Sequence, residues 1–234
     1  MPHSSWKEIL SDAYEALDPE YKDFLEKDHG YFPTKENYFN AFKTLAKHEV
    51  KYILFGQDPY PRKESAGGYA FIDTNVKEIF SQTGLSKEVN RAISLRNFVK
   101  MALVQRRDLD ESDTSQEAIA KVDKTELISN IEELRANFEK NGVLLLNTAL
   151  IFTDKKSSSK HIKAWQPFMQ SLLDAWVEDV PKLILFGTHA RAMKKLFDVE
   201  KFETIEIEHP YNHTFIVNKI AHALFGKMNL LEKN

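Results

Sequence analysis

A chain of 234 residues with 42% hydrophobic and 12% aromatic side chains can bury a substantial core, which excludes a disordered protein. It has no cysteine, which excludes disulfides, cysteine-ligated zinc and iron–sulfur clusters. A formal net charge of −3 argues against a protein that coats nucleic acid electrostatically, but not against a small footprint with a few aimed contacts.

The opening stretch MPHSSWKEILSDAYEALDPE lacks an apolar segment of the secretory kind, and no run elsewhere reaches membrane-spanning length. A soluble, cytoplasmic protein is the expectation. Across the first 48 residues, WKEILSDAYEAL and TKENYFNAFKTLAK repeat apolar residues every three to four positions, which predicts helices. VKYILFG (50–56) reads as a buried strand and runs into GQDPYPRKESAGGYAF (56–71), where two prolines stiffen a turn around Asp58 and Tyr60. SLRNFVKMALVQ is helical in pattern and opens on Ser94, a residue type suited to an N-cap. Residues 106–141 are polar and acid-rich; SQEAIA and KTELISNIEELRANFEKN look helical, with a capping box at Thr125. This segment reads as an acidic helical excursion on the surface.

GVLLLNT (142–148) and PKLILFG (181–187) are further near-continuous apolar runs, whereas ETIEIEHP (203–210) alternates as an edge strand does. Between the first two, TDKKSSSKHIK (153–163) reads as a loop whose four lysines could steer phosphates. KAWQPFMQSLLDAWVEDV follows as a helix with Pro167 in its first turn, and THARAMKKLFDV as one opening on Thr188. Strands alternate with helices, without repeat or linker. One domain over residues 1–234 is therefore expected, a three-layer α/β/α sandwich around a central four-stranded parallel sheet.

Each strand ends in residues able to do chemistry: Gln57 and Asp58, Asn147, Gly187 and Thr188, and finally His209. Ligands of open parallel sheets sit outside the carboxyl ends of the strands, so these residues are expected on one rim. Singly, each has an ordinary role, since Asp before Pro and Asn after a strand commonly form turns. Ser94 and Thr188, if they only cap their helices, are equally ordinary. Two helix starts beside one rim would also suit consecutive phosphates.

GQDPYP with Phe71 behind it, GVLLLNTAL, LILFGTHA and EHP, in that order, resemble family 1 uracil-DNA glycosylases. FPTKENYFNAFK and SLRNF are similar to that family's segments around the first strand, and the resemblance runs from about Gly30 to Leu230. It implies an enzyme of base excision repair that flips uracil out of DNA and hydrolyses its N-glycosidic bond. By position, Asp58 matches the aspartate that places the attacking water and stabilises the cationic sugar, and His209 the histidine that donates to uracil O2. Tyr60 matches the tyrosine that rejects thymine's methyl, Phe71 the ring on which the base stacks, and Asn147 the amide that reads the uracil edge. The backbone at Gln57 and Asp58 would also meet O2, while Ser94, Gly187 and Thr188 fall where phosphates are contacted.

No metal or cofactor is implied. The implied partners are uracil-containing single- or double-stranded DNA and proteinaceous inhibitors of such enzymes, acting on a monomer. The chain departs from the family at Pro61, where histidine follows GQDPY, and after His209, where HPYNHTFIVNKIAHALFG lacks the leucine that fills the hole left by the flipped base. His213 takes that slot by position, while Phe215 or Ile216 suits it chemically. Two rival readings are a DNA-binding scaffold of weakened catalysis on the same fold and an unrelated hydrolase with an Asp–His pair. The second lacks a G-x-S-x-G elbow.

Overall fold

A computed structural model describes residues 1–27 and 30–233, with backbone alone at 189–191. Its helices are α1 (Lys7–Glu15), α2 (Pro19–Lys27), α3 (Lys87–Arg91), α4 (Ile93–Arg106), α5 (Gln116–Lys121), α6 (Ile131–Lys140), α7 (Ser158–Asp174), α8 (His189–Leu196) and α9 (Lys219–Phe225). Its strands are β1 (Tyr52–Gly56), β2 (Phe80–Ser81), β3 (Gly84–Leu85), β4 (Val143–Asn147), β5 (Lys182–Phe186) and β6 (Thr204–Ile207). Contacts group the chain into two compact units, Met1–Asp73 with Gly142–Glu206 and Thr74–Asn141 with Ile207–Asn234. No linker or shift in composition marks these crossings in the sequence.

The first unit is built on the expected four-stranded parallel sheet, in the order β4-β1-β5-β6. β1 runs parallel to β4, with Tyr52 opposite Val143 and Gly56 opposite Asn147, and parallel to β5, with Tyr52 opposite Lys182. Ile53, Phe55, Leu144, Leu146, Leu183 and Leu185 enter a core shared with Trp6, Phe42, Trp165, Phe168 and Trp176. Leu54, Leu145 and Ile184, on the opposite face, are buried as well. Burial on both faces is why these runs are continuously apolar. Each such side chain contributes about 1.5–3 kcal/mol by leaving water. β6 is the edge strand, and only Ile207 of its residues is fully buried.

Helix α1 packs on α7. Asp18 caps α2, its carboxylate accepting from the backbone N–H groups of Glu20 (2.9 Å) and Tyr21 (3.2 Å), with Pro19 in the first turn where a missing N–H costs nothing. The helix expected over TKENYFNAFKTLAK is instead a run of turns with one tight turn at Asn40–Phe42. Tertiary contacts hold it there: the Asn40 amide donates to the Gly67 carbonyl at 2.8 Å, and Phe42 and Ala41 are buried. The lysine loop is also corrected. Asp154 gathers the N–H groups of Lys156 (2.7 Å) and Ser157 (3.1 Å), and α7 begins at Ser158, so Pro167 stands inside the helix rather than in its first turn.

In the second unit, the acidic segment is only partly surface. Ile119 of α5 and Leu134 and Phe138 of α6 are buried, and Phe98 packs against Phe138, Phe215 and Phe225 at ring separations of 5.7, 6.1 and 5.0 Å. The cap expected at Thr125 lies at Asn130, whose side chain accepts from the Glu133 N–H (3.0 Å) while the Glu133 carboxylate accepts from the Ser129 N–H (2.7 Å). Asn137 anchors the C-terminal segment by donating to the carbonyls of Leu230 (2.9 Å) and Glu232 (2.8 Å). Ser94 is not an N-cap but the second residue of α4. Ala92 takes the cap position because its N–H still closes α3, on Glu88 and Val89 (both 3.1 Å), so the two short helices meet there.

Candidate active site

In the first unit, parallel pairing places the ends of β1, β4 and β5 on one side of the sheet, which collects Gln57, Asp58, Asn147, Gly187 and Thr188 as expected. The exits of β1 and β4 are bonded together. The Gly56 carbonyl accepts from the Thr148 N–H (3.0 Å), and the Gln57 carbonyl from the Ala149 N–H (3.0 Å) and the Thr148 hydroxyl (2.5 Å). Gln57 is exposed, Asp58 half-buried and Pro59 buried, so the chain dips inward right after the carboxylate.

The Ser158 hydroxyl donates to Asp58 Oδ2. Ser158 is buried at the first position of α7, so a helix start holds one oxygen of the carboxylate. Sequence reasoning missed it, because Ser157, Ser158 and Ser159 read as loop. The signal was present in Asp154, an Asx-type helix opener three residues before Ser157.

Asn147 is 5% exposed, and its amide has no hydrogen-bond partner among the described residues. A Cβ at Gly56 would lie 2.2 Å from Asn147 Oδ1, so only glycine opposite Asn147 leaves room for the amide. Buried amides normally bond within the protein. One that does not is available to a ligand.

Phe71 is held in the left-handed region (φ 68°), where a non-glycine residue is strained by ~1–3 kcal/mol. Bonds on both sides enforce it: the Tyr60 hydroxyl donates to the Phe71 carbonyl (3.1 Å), and the Ala70 N–H to the Leu145 carbonyl of β4 (3.1 Å). The Phe71 ring lies 6.2 Å from that of Phe186, at the end of β5. Burial, reinforced by the Asp73 carboxylate, pushes the Tyr60 hydroxyl well above its usual pKa, so it stays a neutral donor. Gly187 has φ 57°, a conformation that favours glycine, and Thr188 caps α8 by position without a side-chain bond.

In the second unit, His209 stands two residues past β6. Its Nδ1 accepts the Tyr211 N–H at 3.0 Å, which places the proton of the neutral ring on Nε2. Partial burial holds its pKa below the ordinary histidine value, favouring that neutral form. Of the residues expected to fill a vacated base position, Phe215 and Ile216 are excluded, being 0% and 1% exposed in the core of this unit. Their apolar character belongs to packing against Phe98. His213 is exposed, and so is Tyr211 at 61%, an aromatic residue that the sequence reading passed over.

A uracil-DNA glycosylase from Francisella philomiragia is 30% identical over 215 residues, covering 88% of this chain and 84% of that relative. The chain belongs to the uracil-DNA glycosylase family. A second family member, from Francisella tularensis, is 29% identical over 222 residues, with 88% and 83% coverage. The crystal structure of wild-type UNG from Nitratifractor salsuginis superposes with a TM-score of 0.97 at 55% identity, covering all of this chain and 94% of that one. Mimivirus UNG, solved as a Y322L variant in complex with UGI, shares the fold alone, with a TM-score of 0.55 at 18% identity and coverage of 89% and 70%. No protein-family model matches the chain. Among the described residues, no helix is long and apolar enough to cross a membrane.

Proposed function

We propose that this glycosylase extrudes uracil from DNA and hydrolyses its N-glycosidic bond, releasing the free base and leaving an abasic site. The observation that carries the reading is the buried, unpartnered amide of Asn147, in register with Gly56 and next to the exit that carries Asp58. A target base in a duplex is out of reach and must be flipped into a fitted site. There Phe71 offers a ring face, Asn147 reads the imide edge with one donor and one acceptor, and Tyr60 excludes a methyl at C5.

As the bond between N1 and C1′ lengthens, positive charge grows on the sugar and negative charge on the base. The Asp58 carboxylate faces the first and directs a water whose oxygen bonds to C1′, taking its proton. His209 donates from Nε2 to O2 of the departing uracil anion, together with backbone N–H groups at Gln57 and Asp58. Ser158, by holding Oδ2, leaves Oδ1 for the water. Ser94 in the first turn of α4, and Gly187 and Thr188 at the start of α8, meet backbone phosphates through free helix-start N–H groups. Tyr211 joins His213 as a residue able to fill the base position. Water is the one co-reactant, so the chemistry asks for no cofactor.

On this reading residues 1–234 are one cytoplasmic, monomeric enzyme domain, with single- or double-stranded uracil-DNA as substrate and proteinaceous inhibitors as a second kind of partner. The test is release of uracil from a labelled single-stranded oligonucleotide in EDTA, with Asp58→Asn alongside. Release by the wild type and a loss of orders of magnitude in the variant is the expected result; equal release by both would remove Asp58 from the mechanism, and none by folded wild type would overturn the reading.

A further inference from the structure

Asn97 lies on the inner side of α4, 2% exposed, and donates through Nδ2 to three successive carbonyls, those of Pro210 (2.8 Å), Tyr211 (3.2 Å) and Asn212 (3.3 Å). Its own Oδ1 is buried without a partner. The orphaned oxygen is a cost that the bonds from Nδ2 offset, since an apolar side chain here would take the donor away from the buried Pro210 carbonyl. What the amide does is grip a turn. That turn is closed by the Asn212 N–H donating to the His209 carbonyl at 2.9 Å.

The shortest of the three bonds is the informative one. Pro210 C=O and Tyr211 N–H belong to a single planar peptide unit and point in opposite directions. Asn97 binds the oxygen of that unit, and His209 Nδ1 binds its N–H at 3.0 Å. The amide therefore fixes the plane of the peptide whose N–H is aimed at the imidazole. A carbonyl that accepts a hydrogen bond also polarises its peptide, strengthening the N–H as a donor.

We infer that Asn97 is a positioning residue for His209, acting through the Pro210–Tyr211 peptide to lock the ring in orientation and in the tautomer protonated at Nε2. The inference rests on the role proposed above for His209. It adds that this role depends on a side chain that itself touches no substrate.

The test is a double-mutant cycle on single-stranded uracil oligonucleotide, with ring tautomers read by long-range 1H–15N NMR. Asn97→Asp keeps the shape but turns acceptors toward the three carbonyls. It should lower kcat by about tenfold, less than the roughly 10²–10⁴-fold that a positioned proton donor contributes because the donor is misaligned rather than removed, with KM within about twofold. His209 should then show mixed tautomers. In a His209→Ala background the same change should leave kcat unaltered. An equal loss of kcat in both backgrounds would make Asn97 purely structural and overturn the inference, as would an unchanged His209 tautomer in the variant. Should Asn97→Asp not fold, Asn97→Leu, which also removes the orphaned oxygen, takes its place with the same expectations. Wild-type His209 protonated on Nδ1 would overturn the inference without any variant. If His209→Ala retains full kcat, the role of His209 itself fails, which the NMR result on Asn97 separates from a failure of the relay.

Discussion

Each role proposed for a side chain at the strand ends should leave its own signature when that side chain is removed. Tyr60→Ala should open the site to thymine, so release of thymine from a T-containing oligonucleotide becomes detectable; continued rejection would assign the methyl filter elsewhere. Asn147→Asp replaces the only donor of the amide with an acceptor, which should weaken discrimination against cytosine, measured as the ratio of kcat/KM on uracil and cytosine. His209 gives a pH dependence. Its pKa is depressed by burial, so the neutral ring and its bond from Tyr211 are intact above the ordinary histidine range. Protonation puts a second N–H on Nδ1, against the Tyr211 N–H. Activity should hold through neutral pH and fall on acidification below about 6.5, and the stability that this bond contributes is lost in the same direction. A kcat profile in which His209→Asn keeps the same acid limb would assign that limb to another group.

Among the elements, α7 departs furthest from its sequence pattern. The sequence pattern places its start near Lys163, because Pro167 favours a first turn, yet the helix begins at Ser158 and carries the proline in its middle. Apolar residues at Trp165, Phe168, Met169, Leu172 and Leu173 bury one face and outweigh the missing N–H. Pro167 is exposed, so Pro167→Ala restores a backbone bond without disturbing the core. Proline costs about 3 kcal/mol relative to alanine in a helix interior, less ~1 kcal/mol for the stiffer unfolded chain. A gain of about 2 kcal/mol, visible as a rise in Tm, is expected; a fall in Tm would mean that the ring packs usefully. The opposite departure is at 34–47, where a good helical period yields turns, because contacts with the loop around Gly67 compete for the same backbone. Periodicity reports which residues face inward. It does not report which hydrogen bonds the backbone will find.

At the scale of the whole molecule, the chain folds as two contact units and passes between them three times in sequence, and all three tryptophans, Trp6, Trp165 and Trp176, are buried in the first. Tryptophan fluorescence thus reports the first unit and far-UV circular dichroism both. If residues 1–234 form one cooperative domain, the two thermal transitions coincide; separated midpoints would show that the units unfold independently. By itself the sequence determined the four strands, their parallel order of burial and the residues at their ends. Strands buried on both faces must be continuously apolar, and parallel strands must deliver their ends to the same side. Only the tertiary structure decided that Ser158 holds Asp58, that Asn97 grips the turn of His209, and that Phe215 and Ile216 are core while Tyr211 is exposed. Those assignments depend on contacts between residues 100 to 115 positions apart and beyond, and local pattern carries no information about which distant backbone a buried amide or hydroxyl will meet.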